Sequence, residues 1–116
     1  VFIRSKSRIP ALEQAAGKTS IIFKDLSELD NSGDCIISTL PKGVLDPFES
    51  KLENGDGTLF DVIYNPWPTR AASVWQGRVL SGMDLLVEQA MYQITFMTGA
   101  DFNYHLMRGR LLAAIK

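Results

Sequence analysis

Five short, β-prone apolar runs recur along the chain, most of them separated by stretches with helical patterning, and no other feature constrains the fold as tightly. The runs are Val1 to Ile3, Ile21 to Phe23, Cys35 to Ile37, Leu59 to Tyr64 and Arg78 to Ser81. Between the first two, Pro10 lies in the first turn of a short helix with Leu12, Ala15 and Ala16 on one face, ending near Gly17. A weak helical turn covers Leu26 to Leu29, and the segment from Leu45 to the turn-rich Asn54-Gly55-Asp56-Gly57 is mixed. Thr69 is placed to cap a helix through Ala71 and Trp75. A helix from about Met83 to Thr98 follows the last run and stops at Gly99. A final helix spans about Phe102 to Ala114, with Asp101 as its expected cap. Parallel strands need crossovers of helix length, so the alternation predicts one α/β domain on a parallel sheet with right-handed connections.

Charge and chain ends narrow the class further. Val1-Phe2-Ile3 starts without Met, polar lead-in or turn, and a strand this apolar belongs inside a sheet with neighbours on both sides. It reads as the cut end of a truncated sheet, which predicts that the open edge pairs with another chain as a homodimer or by strand exchange. Lys and Arg number 12 against 13 Asp and Glu, too even a balance for the sustained positive field of a nucleic-acid or membrane-surface binder. The most apolar stretch, Met83 to Phe96, is interrupted by Asp84, Glu88 and Gln89, so it reads as a helix of a globular domain rather than a membrane span. The single Cys35 excludes an internal disulfide and a Cys-rich zinc site and fits a reducing, cytoplasmic compartment. Within its apolar strand it reads as inert packing.

In open parallel sheets ligands bind beyond the carboxyl ends of the strands, which selects a handful of loops. At the end of the first run stand Arg4, Ser5, Lys6 and Arg8. A dinucleotide fold that prefers NAD carries Asp or Glu there for the ribose hydroxyls, whereas guanidinium and hydroxyl groups suit the 2′-phosphate of NADP. The same residues also read as a solvated basic turn. Tyr64, just before Asn65-Pro66, offers a hydroxyl to a polyhydroxylated substrate or simply packs its ring with the hydroxyl at the surface. Gly82 opens the long helix and permits close backbone approach, and Leu85 and Leu86 give an apolar wall for a flat ring. Gln89 lies one turn further on the same stripe, where a ligand or a backbone carbonyl would satisfy its amide. His105 stands alone and reads as a structural or surface residue, while Asp25, Glu28 and Asp30 read as a solvated face. Trp67 and Trp75 are expected to pack the turn and the helix against the sheet.

Taken together, these loops resemble those of the shikimate dehydrogenases. Asp61-Val62-Ile63-Tyr64-Asn65-Pro66-Trp67-Pro68-Thr69 resembles the family's Asp-x-x-Tyr-x-Pro-x-x-Thr motif. Gly82 with Leu85-Leu86-Val87-Glu88-Gln89 resembles its Gly-x-x-Met-Leu-Val-x-Gln segment. Arg4-Ser5 with Arg8 is similar to the Asn-Arg-Thr-x-x-Arg clasp, and Ser38-Thr39-Leu40-Pro41-Lys42-Gly43 to the Asn-Ala-Thr-Pro-x-Gly loop. The Trp67-Pro68 variant looks like the actinobacterial branch. Departures are Ile3 for the clasp's Asn, Ser38 and Leu40 for the loop's Asn and Thr, and Leu85 for Met.

The resemblance implies a truncated Rossmann-like parallel sheet with flanking and carboxy-terminal helices. It implies NADP as cofactor, held by Arg4, Ser5 and Arg8 at the 2′-phosphate, with Ser38 in the adjoining loop and Val62, Gly82 and Leu85 lining the nicotinamide site. Tyr64 and Gln89 would touch shikimate or 3-dehydroshikimate from the cofactor side. The family's catalytic Lys and Asp belong to an amino-terminal domain and its Gly-rich loop precedes the clasp, so this stretch is expected to be inactive by itself. The other expectations are a quinate/shikimate paralogue or a non-catalytic NADP-binding module.

Overall fold

In a computed structural model that describes residues 1–115, the alternation becomes parallel β structure flanked by helices. Strand β1 (Phe2–Ile3) leads through a 3-10 turn into helix α1 (Ile9–Ala16), and β2 (Lys24–Asp25) follows. Strand β3 (Cys35–Ser38) precedes the short helix α2 (Glu49–Leu52). Strand β4 (Thr58–Asp61), helix α3 (Arg70–Val74) and β5 (Arg78–Ser81) come next, and the long α4 (Gly82–Thr98) and α5 (Tyr104–Ala114) close the chain. The expected single sheet is divided. β1 pairs only with β2, while β3, β4 and β5 form a second parallel sheet in that order.

Local chemistry explains the boundaries. Pro10 occupies the first turn of α1, where its missing N–H costs nothing. Thr69 caps α3, its hydroxyl oxygen accepting from the Ala72 N–H at 3.2 Å. Ser81 and Asp84 form a reciprocal cap on α4, each side chain accepting from the other's backbone N–H. Gly99, at φ 64°, ends α4 in the left-handed region that side chains avoid. At α5 the expected cap is displaced: Asn103 accepts from the Leu106 N–H at 3.0 Å, and Asp101 lies outside the helix.

Strand alternation sorts the three-stranded sheet into two faces. Ile36, Leu59 and Val79 share one row and pack into a core with Leu26, Leu29, Leu45, Leu52, Ala71 and Trp75. Phe2 packs against the same cluster, so the β1–β2 ribbon is tied to the sheet by side chains rather than by backbone pairing. The opposite row, Ile37, Phe60 and Leu80, is only partly covered, and Ile37 is 64% exposed.

Several expectations shift. The second strand begins at Lys24 and leaves Ile21 to Phe23 outside it, because only Phe2 and Ile3 are extended opposite a partner. Val1 is exposed and Phe2 and Ile3 are half-buried, since a single neighbour covers β1 where a central strand has two. Cys35 is likewise exposed, not packed, because β3 is an edge. Trp75 is buried as expected, but Trp67 rides on the surface of its turn. Among the described residues, no helix is long and apolar enough to cross a membrane.

Leu59 is fully buried and Phe96 almost fully exposed. Chemical denaturation should therefore show Leu59→Ala losing about 2–5 kcal/mol, with Phe96→Ala within about 0.5 kcal/mol of the parent.

Candidate functional site

Register brings the last residues of three strands into one line: Ser38, Asp61 and Ser81 lie side by side, all buried. The chain leaves the sheet at this rim, where Thr39 and Val62 start loops and Gly82 starts α4, the segments that the sequence marks as functional. Asp61 organises the middle one. Its Oδ1 accepts from the Ile63 N–H at 3.2 Å and its Oδ2 from the Thr69 hydroxyl at 2.8 Å, and the Thr69 oxygen in turn caps α3. The turn between them carries cis peptide bonds at Asn65–Pro66 and Trp67–Pro68. Tyr64 is held on this turn with half its surface open to solvent.

Gly82 joins the loop after β4 to the start of α4. Its N–H donates to the Ile63 carbonyl at 3.1 Å. A Cβ on Gly82 would lie 1.9 Å from the Val62 carbonyl oxygen, well inside contact distance, so any side chain here would force β4 and β5 apart. Helix α4 starts at that point and carries Leu85 and Leu86, both partly exposed, and then Gln89. Gln89 is exposed, so water satisfies its amide and the question of a buried partner does not arise.

A charged clamp fixes α5 onto this helix. Arg108 donates to Asp84 Oδ1 and to Glu88 Oε1, each at 2.8 Å, and the Tyr104 hydroxyl donates to Glu88 Oε2. Partial desolvation pushes Asp84 up, but donation from the Ser81 N–H and hydroxyl and from Arg108 outweighs it and leaves its pKa low. Glu88 is lowered by the Tyr104 hydroxyl and then by Arg108, and the same contact raises the Tyr104 phenol. The clamp ties α5 to Asp84, the residue that caps the start of α4 at the rim.

Arg4, Ser5, Lys6, Ser7 and Arg8 form a second group, at the carboxyl end of β1. The 3-10 turn over Lys6–Arg8 curls them into a compact cluster in which the Arg8 N–H donates to the Ser5 carbonyl and the Ser5 and Ser7 hydroxyls lie 2.8 Å apart. All are exposed, and among the described residues none of the three cations forms an ion pair. The carboxylate nearest in register, Asp25, accepts from the Ser27 hydroxyl and N–H, which hold its pKa low, and the charge of Lys6 adds to the lowering from longer range.

Val62, Gly82, Leu85 and Tyr64 thus gather at one rim, with Ser38 in the same buried row and Gln89 one turn up α4. Arg4, Ser5 and Arg8 stand at the end of the other sheet, and no hydrogen bond or ion pair among the described residues links them to that rim. Two anchoring residues were not assigned roles from sequence. Asp61 was readable as a strand-end carboxylate preceding a turn that closes on Thr69. Arg108 had no local signal, since its partners lie 20 and 24 residues away. His105 is exposed and sets its ring edge against Tyr104, and no group of potential metal ligands occurs among the described residues.

Parallel strands flanked by helices in this way are the architecture of Rossmann-like folds. Comparison with known proteins is more particular and points to shikimate dehydrogenase. The chain is 24% identical over 126 residues to the shikimate dehydrogenase (NADP(+)) of Chlorobium chlorochromatii, a match spanning 97% of the chain and 44% of that protein. It superposes on the crystal structure of Mycobacterium tuberculosis shikimate dehydrogenase with a TM-score of 0.79 at 26% identity, over 98% of the chain and 46% of that structure. A shikimate 5-dehydrogenase from Mycobacterium fortuitum shares the fold, with a TM-score of 0.74 at 24% identity over 94% of the chain and 44% of that structure. The chain thus spans less than half the length of each, and the shared region is their carboxy-terminal portion. No family model matches.

The clamp gives a pH dependence with a definite sign. Asp84 and Glu88 have lowered pKa values in the folded chain, so their contribution is complete above the ordinary carboxylate values of 3.8 and 4.5 and is lost as pH falls through the lowered ones. Relative to the intrinsic rate at each pH, amide exchange in α5 should therefore accelerate in acid while β4 stays protected. In Arg108→Ala the acceleration should begin at higher pH; an unchanged profile would show that the clamp does not hold α5.

Proposed function

We propose that the chain is the cofactor-binding, carboxy-terminal portion of an NADP-dependent shikimate dehydrogenase, which interconverts 3-dehydroshikimate and shikimate. The observation that carries this reading is the exposed basic turn Arg4 to Arg8 at the end of β1, whose cations form no ion pair among the described residues, in a chain whose relatives are named for that activity. An NAD-preferring site would set a carboxylate at that position, where it would repel a 2′-phosphate. Guanidinium groups of Arg4 and Arg8 and the hydroxyl of Ser5 suit a phosphate dianion, which accepts several charge-assisted bonds at once. The rim is the place assigned to the other end of the same molecule: Val62 and Gly82 stand there at neighbouring strand ends, held close because position 82 has no Cβ.

When bound, NADP supplies or accepts the hydride. The roles assigned to this chain are placement and shielding. Val62, Gly82 and Leu85 line the place of the nicotinamide, with Leu85 as an apolar wall that keeps water from its face. Ser38 supports the adjoining loop from the buried end of β3. The Tyr64 hydroxyl and the Gln89 amide reach the substrate hydroxyls from the cofactor side. No residue of this chain is assigned the proton transfer; the resemblance puts the Lys–Asp pair for that step in the amino-terminal portion of the relatives.

The test is formation of NADPH from shikimate by the full-length polypeptide, with Arg4→Ala and Arg8→Ala as variants. A charge-assisted hydrogen bond contributes about 1.5–3 kcal/mol, so each variant should raise KM for NADP+ by about tenfold or more. Activity with NAD+ should change little. No NADPH formation would reduce the chain to a binding module, and equal losses with both cofactors would remove the 2′-phosphate role of the turn.

A further inference from the structure

Leu85 and Gln89 both belong to α4, so the direction in which they point depends on how far that helix is rotated about its own axis. Packing fixes the angle along a narrow stripe: past Gly82, the buried residues of α4 are Val87 and Met91, one turn apart. A second constraint comes from the sheet, where the Ser81–Asp84 box ties the first turn to the end of β5. The third comes from α5. Arg108 spreads two guanidinium nitrogens over two carboxylates, Nη2 donating to Asp84 Oδ1 and Nε to Glu88 Oε1, each at 2.8 Å. Tyr104, one turn before Arg108, donates to the other oxygen of Glu88.

Isolated ion pairs in open solvent contribute little. This arrangement differs in geometry and in screening. Asp84 and Glu88 are one helical turn apart, where two like charges repel unless a cation lies between them. A planar guanidinium serves both only while α4 keeps one rotational setting against α5. All three side chains are about two-thirds covered, so water and salt screen the contacts only in part. Asp84 is used from both sides: its Oδ2 accepts from the Ser81 N–H and hydroxyl while its Oδ1 accepts from Arg108. Each residue of an α-helix is turned about 100° from the one before it. Leu85 directly follows Asp84 and Gln89 directly follows Glu88, so the clamped stripe and the site stripe lie side by side. Fixing the first fixes the second.

We propose that Arg108 is a positioning residue of the site: through Asp84 and Glu88 it sets the rotation of α4 and so aims Leu85 and Gln89 at the rim. The proposal rests on the roles that the preceding reading assigns to those two residues, and it needs no contact between Arg108 and cofactor or substrate. Side chains reach about 5–6 Å from a helix axis, so a rotation of about 10° moves a tip by about 1 Å. A displacement of about 1 Å at a reacting centre can cost about a hundredfold in rate. The loss falls on turnover rather than on cofactor affinity, because the phosphate end of NADP is assigned to the turn Arg4 to Arg8, away from α4.

The test is reduction of 3-dehydroshikimate by NADPH with the full-length polypeptide. Arg108→Met keeps the length of the side chain and removes its charge; it should lower kcat by about tenfold and leave KM for NADPH within about twofold. The isotope effect on kcat with NADPH deuterated at the transferred hydrogen should rise, since hydride transfer becomes more nearly limiting. Arg108→Lys, which still pairs with one carboxylate, should recover part of the loss. Arg110→Met, exposed on the same helix, should leave kcat unchanged. An unchanged kcat in Arg108→Met beside faster amide exchange in α5 would overturn the proposal, because the clamp would then only anchor α5. So would kcat and KM changing in proportion with no recovery in Arg108→Lys. If the parent polypeptide forms no product, the enzymatic reading falls and residual dipolar couplings along α4 decide the positional claim: a changed helix rotation in Arg108→Met upholds it, and an unchanged one overturns it.

Discussion

The alignment of three strand ends governs the rest of the molecule. Parallel register sets Ser38, Asp61 and Ser81 side by side, and the loops depart from one edge because the strands stop together. The approach of Gly82 to the Val62 carbonyl locks two of those ends, and it exists only because position 82 has no Cβ. From that junction α4 runs away from the rim, with Leu85 in its first turn and Gln89 one turn further on.

Polar groups near this rim are held by specific partners rather than merely exposed. Asp61 is almost fully buried, yet each of its oxygens has a donor, which is the condition for a buried carboxylate to be tolerated. Ser81 is paired with Asp84, and Asp84 is shared with Arg108. The contrast with Arg4, Lys6 and Arg8 is instructive. Those three cations stand on one short turn, and none forms an ion pair among the described residues. A fold that pairs its charges closely at one strand end leaves exposed positive charge at another.

How much of this could be read from residues depended on range. Features set by neighbours a few positions apart were legible: Thr69 as a cap, Gly99 as a terminator, Pro10 in a first turn, and the alternation that made the sheet parallel. The cap of α5 was misjudged because Asp101 and Asn103 have equivalent side-chain chemistry and only the backbone path selects between them. Burial of Cys35 was misjudged for a different reason, although the open edge of β1 was expected. An apolar strand announces that it should be covered, but not whether the covering strand is at hand. The Arg108 clamp, closing across more than one helix length, had no local trace at all. Of the candidate site, Val62, Tyr64 and Gly82 were legible because they are contiguous with strand ends. The relation of Arg4 and Arg8 to them depends on how the two sheets are spaced.

The central claim is that one cofactor spans both strand ends, with its phosphorylated ribose on the basic turn and its nicotinamide at the glycine junction. An experimental structure of the full-length polypeptide with NADP+ bound tests it directly. The account predicts the 2′-phosphate within hydrogen-bonding distance of Arg4, Ser5 and Arg8, with the nicotinamide ring against Gly82 and Leu85. A cofactor bound elsewhere, or with its 2′-phosphate in solvent away from that turn, would contradict it.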